Sequence, residues 1–383
     1  MTQVIICCGV GGTGKTTTAA ALGVGHALSG QRVCVLTIDP ARRLADALCR
    51  PELDNTPRIV PLDGLTVPEG GTLHAMMLDR KSTWDDIIRR FSKSEASAER
   101  LLANRYYRAV STRLTGSHEY MAIEKLYQLV QQGSWDVLVV DTPPTEHVLD
   151  FFQSPERIRR IFDRTVLASL TQPGRGLLGS AARRASRVVE RLAGDSVMRD
   201  ITEFFGLISE LAGGFRARSE AVGEILISSD TRYFLVARAS APERNDILGF
   251  LETLRERRMH FAGFLLNRVA TSPGPEPTWS LKGLPCPPDT TPAQWSAWIA
   301  AFSAQQDEVF DRARRHEDAA TRLSAAASDA PVWRVPDLID GVGSLEKLSR
   351  LAAFLPPNTP APPCVEGPQP DGASAPESTV YSA

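Results

Sequence analysis

The sequence predicts an α/β domain with a doubly wound, mostly parallel sheet. Apolar runs alternate with helical patterns along much of the chain, as they do when helices connect parallel strands. Several of these runs are continuous, which is typical of strands buried on both faces. The first run also leads directly into a glycine-rich loop and a helix. With 383 residues, of which 43% are hydrophobic, the chain is long enough for one large domain of this class.

Seven segments have the pattern of strands. They are Val4–Cys8, Arg32–Ile38, Leu73–Leu78, Trp135–Val140, Tyr233–Ala237, Phe261–Leu266 and Val332–Val335. Mainly helical insertions are predicted at about 82–132 and 152–228, and a proline-rich loop at 271–296. We expect one domain over residues 1–355. A disordered, proline-rich tail is expected at 356–383, because that segment has too few apolar residues to stabilise an ordered structure.

The loop after the first strand carries the clearest chemical signal. Residues 9–16 read GVGGTGKT and satisfy the pattern G-x-x-x-x-G-K-[ST] between a strand and a helix. In such a loop, backbone amides surround a phosphate, the lysine reaches the β- and γ-phosphates, and the Thr hydroxyl binds Mg²⁺. We therefore predict a nucleoside triphosphate site formed by Gly9, Gly11, Gly12, Thr13, Gly14, Lys15, Thr16 and Thr17. The alternative is a glycine-rich turn with no chemical role.

Two aspartates follow predicted strands. Asp39 comes directly after Ile38, and Asp141 comes directly after Val140. In an open α/β sheet, ligands bind at the carboxyl ends of strands. An aspartate there, beside a glycine-rich loop, matches the position that holds Mg²⁺, so we predict Thr16 and Asp141 as the magnesium ligands. The competing interpretation is that each aspartate is a helix cap or a turn residue.

The composition argues against several classes of function. The formal net charge is −2, with 43 Lys and Arg against 45 Asp and Glu, so we expect no nucleic acid partner. No apolar stretch approaches the ~18 residues of a transmembrane helix, and the amino terminus lacks the charged segment of a signal peptide. We expect a cytoplasmic protein and leave a peripheral association with a membrane open.

An apolar stripe and three cysteines are interpreted as core residues. Apolar residues recur at helical spacing in a predicted helix, at Val197, Ile201, Phe204, Ile208, Leu211 and Phe215. We expect this stripe to face the core, with a groove for a client as the alternative. Cys7, Cys8 and Cys34 lie in strand-like runs, where they are expected to act as small buried hydrophobes.

Three motifs together resemble those of the arsenite-pump and tail-anchored-protein-targeting (ArsA-type) ATPase family. They are the loop at 9–17, TIDPARRLAD at 37–46 and DTPPTEH at 141–147. Residues 118–126 resemble bacterial members in particular, and 335–338 and 342–345 resemble the end of the family domain. The similarity covers residues 3 to about 355. The family consists of dimeric P-loop ATPases of the deviant Walker A class.

The resemblance implies roles for the residues that match the family motifs. Lys15 and Asp39 would be catalytic, with Asp39 polarising the attacking water, and Asp141 would help to bind Mg²⁺. The loop at 142–145 would sense the γ-phosphate. Asn267 matches an asparagine that recognises adenine, and the loop around Pro336 would wall the base. The implied cofactors are ATP and Mg²⁺.

One position departs from the family pattern. Val10 stands where the family has a lysine that reaches the phosphates of the partner subunit. Losing such a cation costs ~10³-fold or more in rate, judged from arginine fingers. Three outcomes stay open: slow hydrolysis by a homodimer, a mixed dimer with a paralogue that supplies the lysine, or substitution by Arg42 or Arg43 in the same chain. The two arginines are equally interpretable as solvated helix charges.

Two functional hypotheses follow. The first is a Mg²⁺-dependent ATPase whose nucleotide state is coupled to a protein client or a membrane partner. The alternative is an ATP-gated interaction or scaffold subunit with weak hydrolysis, working in a mixed dimer with a lysine-bearing paralogue. No cargo is indicated, because Cys286 is alone where targeting factors have a zinc-binding C-x-x-C pair, and residues 82–132 and 150–228 lack the cysteines with which arsenite pumps bind metalloid.

Overall fold

The computed structural model describes residues 2–39, 41–50, 52–104, 107, 117–143, 203, 204, 206, 207, 211, 218, 220–240, 245–270, 285–338, 341 and 343–356. Its strands are β1 (Gln3–Cys8), β2 (Arg32–Thr37), β3 (Arg58–Ile59), β4 (Thr72–Met77), β5 (Val137–Asp141), β6 (Thr231–Arg238), β7 (Phe261–Val269) and β8 (Val332–Pro336). They form one sheet in the order β3-β4-β2-β5-β1-β6-β7-β8. Every neighbouring pair is parallel except β3 and β4.

Helices cover both faces of this sheet. They are α1 (Lys15–Leu28), α2 (Arg43–Ala47), α3 (Arg80–Phe91), α4 (Glu95–Ala103), α5 (Ser117–Gln132), α6 (Asn245–Glu256), α7 (Pro292–Ala326) and α8 (Leu345–Ala352), and residues 220–227 are also helical. One core joins alternate strand residues to α1, α2 and α8, and a second core joins the intervening residues to α3, α4, α5, α6 and α7. The predicted doubly wound, mostly parallel sheet is therefore confirmed.

All seven predicted strands are present, and their ends either coincide with the expected ones or differ by up to three residues. Two features were not predicted. The short strand β3 pairs antiparallel with β4 at the edge of the sheet. The loop expected over 271–296 is wrong for its last residues, because α7 begins at Pro292. A capping box of Thr291 and Gln294, with proline at the first helical position, explains that start.

The helices α3, α4 and α5 lie at 80–132, where the first mainly helical insertion is predicted, whereas most of 152–228 lies outside the described residues. The division of the chain into one domain with two insertions stays a prediction. In the apolar stripe, Phe204 and Leu211 are buried in the core, and the other four positions lie outside the described part. Arg218 is also buried, and its guanidinium donates bidentate hydrogen bonds of 2.7–3.0 Å to the carboxylate of Glu124 in α5. This pair joins residue 218 to α5.

The core accounts for the cysteines as expected. Cys7, Cys8 and Cys34 are fully buried and form no disulfide. Burial raises the pKa of the Cys8 and Cys34 thiols to about 12, so both stay protonated near neutral pH. Of the predicted tail, only Pro356 is described. None of the helices in the described residues combines the length and the apolar character that crossing a bilayer requires.

Candidate nucleotide-binding site

The carboxyl ends of three neighbouring strands, β1, β5 and β2, lie side by side. Asp141 of β5 pairs in register with Cys7 of β1 on one side and with Thr37 of β2 on the other. The glycine-rich loop after β1 therefore emerges beside the residues that follow β2 and β5. Thr142 stabilises this edge, because its hydroxyl donates a 2.8 Å hydrogen bond to the Cys7 carbonyl. Residues 144 and 145 of the expected γ-phosphate loop lie outside the described residues.

The glycine-rich loop needs glycine for two different reasons. At Gly9 and Gly14 there is no room for a side chain, since a Cβ would lie 2.3 Å from the Val236 carbonyl oxygen and 2.0 Å from the Asn267 amide nitrogen. Gly14 also has a φ of 93°, which L-residues with side chains rarely adopt. At Gly12, a Cβ would meet nothing within 4 Å, so the loop faces open space there. That space is where a phosphate would be bound by backbone amides.

The helix after the loop begins without a cap. Among the described residues, no side chain accepts a hydrogen bond from the amino-terminal amides of α1, and its first turn contains no acidic residue. Thr16 and Thr17 lie in this first turn and are partly buried. Uncapped amides and the positive end of the helix dipole favour an anion at this position. Together with the open space at Gly12, this arrangement fits a phosphate.

Lys15 is folded back onto the loop that it follows. Its ammonium group is buried and donates hydrogen bonds to the carbonyls of Gly9 at 2.9 Å and Val10 at 3.2 Å. Burial lowers the pKa of Lys15, and the negative charges of Asp141 and Asp39 partly oppose this shift. The cation is thus held beside the open loop by neutral carbonyls, which a charged phosphate would replace favourably.

Asp141 is a buried carboxylate, and only one of its two oxygens accepts a hydrogen bond from a described residue. Its Oδ2 accepts a 2.9 Å hydrogen bond from the Thr37 hydroxyl, but Oδ1 is buried with no hydrogen-bond partner among the described residues. Burial raises the pKa of Asp141 to about 6, although the Thr16 and Thr37 hydroxyls and the Lys15 ammonium lower it. A buried oxygen without a partner is costly, so a cation beside Thr16 would satisfy it.

The donor set fits magnesium better than a metal held only by protein. Among the described residues, no group of three or more His, Cys, Asp or Glu side chains is placed to hold a metal ion. Mg²⁺ is usually bound by one or two protein oxygens together with water and substrate phosphates. The Thr16 hydroxyl and the Asp141 carboxylate agree with that pattern.

Asp39 lies two residues beyond the end of β2, where its charge acts on both Lys15 and Asp141. Its Oδ1 accepts a 2.9 Å hydrogen bond from the Ala41 amide, and its Oδ2 is 3.7 Å from Arg43. The side chain is 21% exposed, so water reaches it. These contacts hold the carboxylate at the rim of the site, where the sequence predicts an activator of water.

Asn267 connects the neighbouring strand to the loop. Its amide nitrogen donates a 2.8 Å hydrogen bond to the Thr13 carbonyl, 254 positions away in sequence, and its side chain lies directly over Gly14. Pro336 ends β8, next to β7, and is partly buried. The structure therefore brings Asn267 to the glycine-rich loop and places Pro336 one strand farther along the same edge.

A family model for anion-transporting ATPases matches residues 2–207, which is more than half of the 383 residues. The chain belongs to the anion-transporting ATPase family. The matched range includes the loop, Asp39 and Asp141 but not Asn267 or Pro336.

Individual relatives agree with the family assignment. The chain is 30% identical over 168 residues to "ATPase get3" from Aspergillus terreus, covering 43% of this chain and 45% of that protein. It is 25% identical over 210 residues to "ATPase GET3" from Phaeosphaeria nodorum, and this match covers 54% of this chain and 61% of that protein. It is 29% identical over 188 residues to "ATPase ARSA2" from Chlamydomonas reinhardtii, and this match covers 49% of this chain and 46% of that protein. The chain thus spans about half the length of the curated relatives it matches. These three relatives are eukaryotic, so they do not support the expected resemblance to bacterial members.

The loop position that departs from the family pattern is occupied by a buried side chain. Val10 is 7% exposed and packs into the core with strand residues such as Ile6 and Leu36. The two arginines considered as substitutes are exposed at the start of α2, and Arg43 forms its ion pair with Asp39. Neither arginine is directed to the loop by a described contact.

Arg268 lies next to Asn267, and its unusual backbone conformation was not predicted from the sequence. Five described non-glycine residues have positive φ, and four of them follow helix ends, where this conformation is common. Arg268, with a φ of 57°, instead lies in a bulge where the register of β7 and β8 shifts. Its backbone amide donates a 2.9 Å hydrogen bond to Oδ1 of Asn267, so the bulge helps to orient that side chain.

Replacing Arg268 with glycine is expected to raise the free energy of unfolding by up to about 1 kcal/mol, because glycine adopts this backbone conformation without strain. Thermal unfolding of purified protein measures the effect. The matched control is Arg238→Gly, which removes an exposed arginine from the end of β6, where φ is not positive. A lower melting temperature for the Arg268 variant than for the control would contradict the assignment of strain.

Proposed function

We propose that this chain is a Mg²⁺-dependent ATPase that acts as a dimeric switch, with its nucleotide state coupled to a protein client or a membrane partner. The proposal is carried by one arrangement. The loop is open at Gly12 and the first turn of α1 has no cap, with the Lys15 ammonium and an Asp141 oxygen that lacks a described hydrogen-bond partner beside them. Family membership and relatives named as ATPases support the same reaction. We place the protein in the cytoplasm.

The reaction would be attack of water on the γ-phosphorus of ATP. The new bond joins the water oxygen to phosphorus, the bond between phosphorus and the β–γ bridging oxygen breaks, and ADP and phosphate leave. Asp39 would orient the attacking water in line and take up its proton. Lys15 would leave the carbonyls of Gly9 and Val10 and bind the phosphates, where its charge offsets the negative charge of the transition state.

The remaining residues would bind and orient the nucleotide. The loop amides and the first turn of α1 would hold the phosphates, with Thr16 and Thr17 contributing hydroxyls. Asn267 would bind adenine and Pro336 would cover the base. Thr16 and Asp141 would hold Mg²⁺, which neutralises charge on the β- and γ-phosphates when bound.

The second candidate is an ATP-gated interaction subunit with weak hydrolysis, working in a mixed dimer. The burial of Val10 favours it, because no cation occupies that loop position and the described arginines nearby are exposed. In this case, ATP binding sets the conformation and a lysine-bearing paralogue supplies the charge for hydrolysis.

Steady-state phosphate release with Mg²⁺-ATP separates the candidates. We expect Lys15→Ala to lower turnover at least about 100-fold if the chain alone is an ATPase, because a charge at the phosphates is lost. The matched control is Lys81→Ala, which removes an exposed lysine of α3. Turnover that appears only on adding a lysine-bearing paralogue would favour the mixed dimer, and absence of ATP binding by the wild type would contradict both candidates.

A further inference from the structure

His316 is the first residue of α7 that is buried against the domain. None of residues 292–315 is buried, whereas His316, Ala319, Ala320 and Leu323 are, at the spacing of one helix face. The helix contacts β7 and β8. His316 is the polar member of this otherwise apolar face. Because burying a polar ring without a hydrogen bond is costly, its partner indicates what the residue is for.

The partner of His316 is the backbone at the end of β7. Its Nδ1 accepts a 2.9 Å hydrogen bond from the backbone amide of Ala270, the residue that follows β7. A backbone amide is only a donor, so Nδ1 carries no proton in this arrangement. Burial lowers the pKa of His316, and the charges of Arg312 and Arg315 lower it further. The ring is therefore neutral near pH 7, and α7 holds the end of β7 through a neutral acceptor.

This hydrogen bond lies directly after the bulge at Arg268. The residue between them, Val269, is also held, because its carbonyl accepts a 3.1 Å hydrogen bond from the Asp337 amide. The backbone on the far side of the bulge is thus tied to α7 and to the residue that follows β8. A bulge disrupts the ladder locally, so its shape depends on the contacts that flank it.

The bulge fixes the orientation of the Asn267 side chain. The Arg268 amide donates a 2.9 Å hydrogen bond to Oδ1 of Asn267, and Nδ2 of Asn267 donates a 2.8 Å hydrogen bond to the Thr13 carbonyl. Because an amide has to meet an oxygen and a carbonyl has to meet an N–H group, these two contacts allow only one orientation of the carboxamide.

A carboxamide fixed in this way can distinguish between purines. Among the described residues, Asn267 forms no further hydrogen bond, so one N–H group and one oxygen lone pair remain for a ligand. Adenine presents the N7 acceptor beside the N6 amino donor, which matches this pair. A purine with a carbonyl at position 6 presents two acceptors and does not match it.

We propose that His316 is a positioning residue for base recognition: its hydrogen bond to Ala270 holds the bulge at Arg268, and the bulge holds Asn267 in the orientation that favours adenine. The inference rests on the proposed role of Asn267 in binding the base. His316 itself does not touch the nucleotide. Its loss relaxes the choice between bases and leaves the phosphate contacts in place.

The preference between ADP and inosine diphosphate tests the proposal in the full chain. The two bases differ in having an amino group or a carbonyl at position 6, and neither nucleotide is consumed by the proposed reaction. In calorimetry with Mg²⁺, we expect the wild type to bind ADP at least about fivefold more tightly. Asn267→Ala should abolish this preference. His316→Leu should reduce it at least about threefold, because the acceptor for the Ala270 amide is lost.

Two further variants and a control make this result specific. His316→Asn should restore the preference, because the Oδ1 of asparagine accepts the same hydrogen bond. Ala270→Pro removes the donor of that bond and should lower the preference as His316→Leu does, which keeps the test valid if the leucine variant does not fold. The matched control is His260→Leu, at the opposite end of β7, which should leave the preference unchanged.

The possible failures are distinguishable. If His316 were purely structural, His316→Leu would lower the melting temperature and leave the ratio of the two affinities unchanged, and this result would overturn the inference. So would a His316→Asn variant that is as impaired as His316→Leu. A wild type that binds both nucleotides equally, or an Asn267→Ala variant that keeps the preference, would instead overturn the proposed role of Asn267. A wild type that does not bind ADP would contradict the nucleotide site as a whole.

Discussion

Replacing Asp39 with asparagine is expected to lower ATP hydrolysis by about 10²–10⁴-fold while leaving ATP binding within a few-fold of the wild type. The amide keeps the shape of the side chain and still accepts the hydrogen bond from the Ala41 amide. It cannot take up the proton of the attacking water, and general-base contributions have this size. The expected result is a protein that binds ATP but does not turn over.

Binding should survive this substitution for an electrostatic reason. Asp39 adds negative charge near Lys15 and Asp141, which opposes the arrival of a polyphosphate. Removing that charge leaves the affinity for ATP unchanged or raises it slightly. Calorimetry measures binding and single-turnover phosphate release measures chemistry, so the two effects are read separately.

The matched control for this experiment is Asp46→Asn, which neutralises an exposed carboxylate on α2 that is not part of the proposed site. Its turnover should equal that of the wild type. If Asp39→Asn lost binding together with hydrolysis, the role of Asp39 as activator of water would be wrong. If it behaves as expected, the ATP-bound variant is also suited to capturing the client or membrane partner.

The strands and the centre of the site could be predicted from the sequence because their causes are local. A run such as that of β5 has to be buried on both faces, and an aspartate that ends it has to lie at the sheet edge. The pattern of Gly9, Gly14 and Lys15 likewise specifies a backbone shape directly. These predictions needed no knowledge of which strands are neighbours.

Other features depend on contacts between distant parts of the chain. The hydrogen bond from Asn267 to Thr13 joins residues that are 254 positions apart, and no local sequence pattern predicts it. The bulge at Arg268 arises from the pairing of β7 with β8, and β3 has only two residues, too few for a period-two pattern. The start of α7 was the exception, because Thr291, Pro292 and Gln294 carry a capping signal that the proline-rich composition obscured.

Val10 shows how the structure changes the meaning of a sequence difference. In sequence it is a missing lysine, which leaves the source of the catalytic cation open. In the structure its side chain fills part of the core behind the loop, so the position is used for packing. A lysine introduced there would have to leave the core to act.

Replacing Asp141 with asparagine is expected to stabilise the nucleotide-free protein at neutral and alkaline pH, although it should impair Mg²⁺-dependent hydrolysis. Burial raises the pKa of Asp141 from 3.8 to about 6, so the folded state holds this proton more tightly than the unfolded state does. Above pH 6, the buried ionised carboxylate therefore lowers the free energy of unfolding by up to about 3 kcal/mol. Asparagine removes that charge and keeps an oxygen that accepts the hydrogen bond from Thr37.

The pH dependence of stability distinguishes this explanation from a general effect of the substitution. For the wild type, the contribution of Asp141 is most favourable below pH 3.8 and is lost as the pH rises through 6. The melting temperature of Asp141→Asn should thus exceed that of the wild type by several degrees at pH 8, with a difference that shrinks towards pH 4. Asp136→Asn is the matched control, because its exposed carboxylate is stabilised by Arg32 and its loss should lower stability slightly or not at all.

Mg²⁺-ATP should reverse the order of the two proteins. The ionised carboxylate that destabilises the free protein is the form that binds a cation, so the wild type gains more from the ligand than the variant does. The increase in melting temperature on adding Mg²⁺-ATP, compared with ATP in EDTA, measures this gain. An equal increase for the wild type and Asp141→Asn would mean that Asp141 does not face the metal, and the partnerless oxygen would then need another explanation.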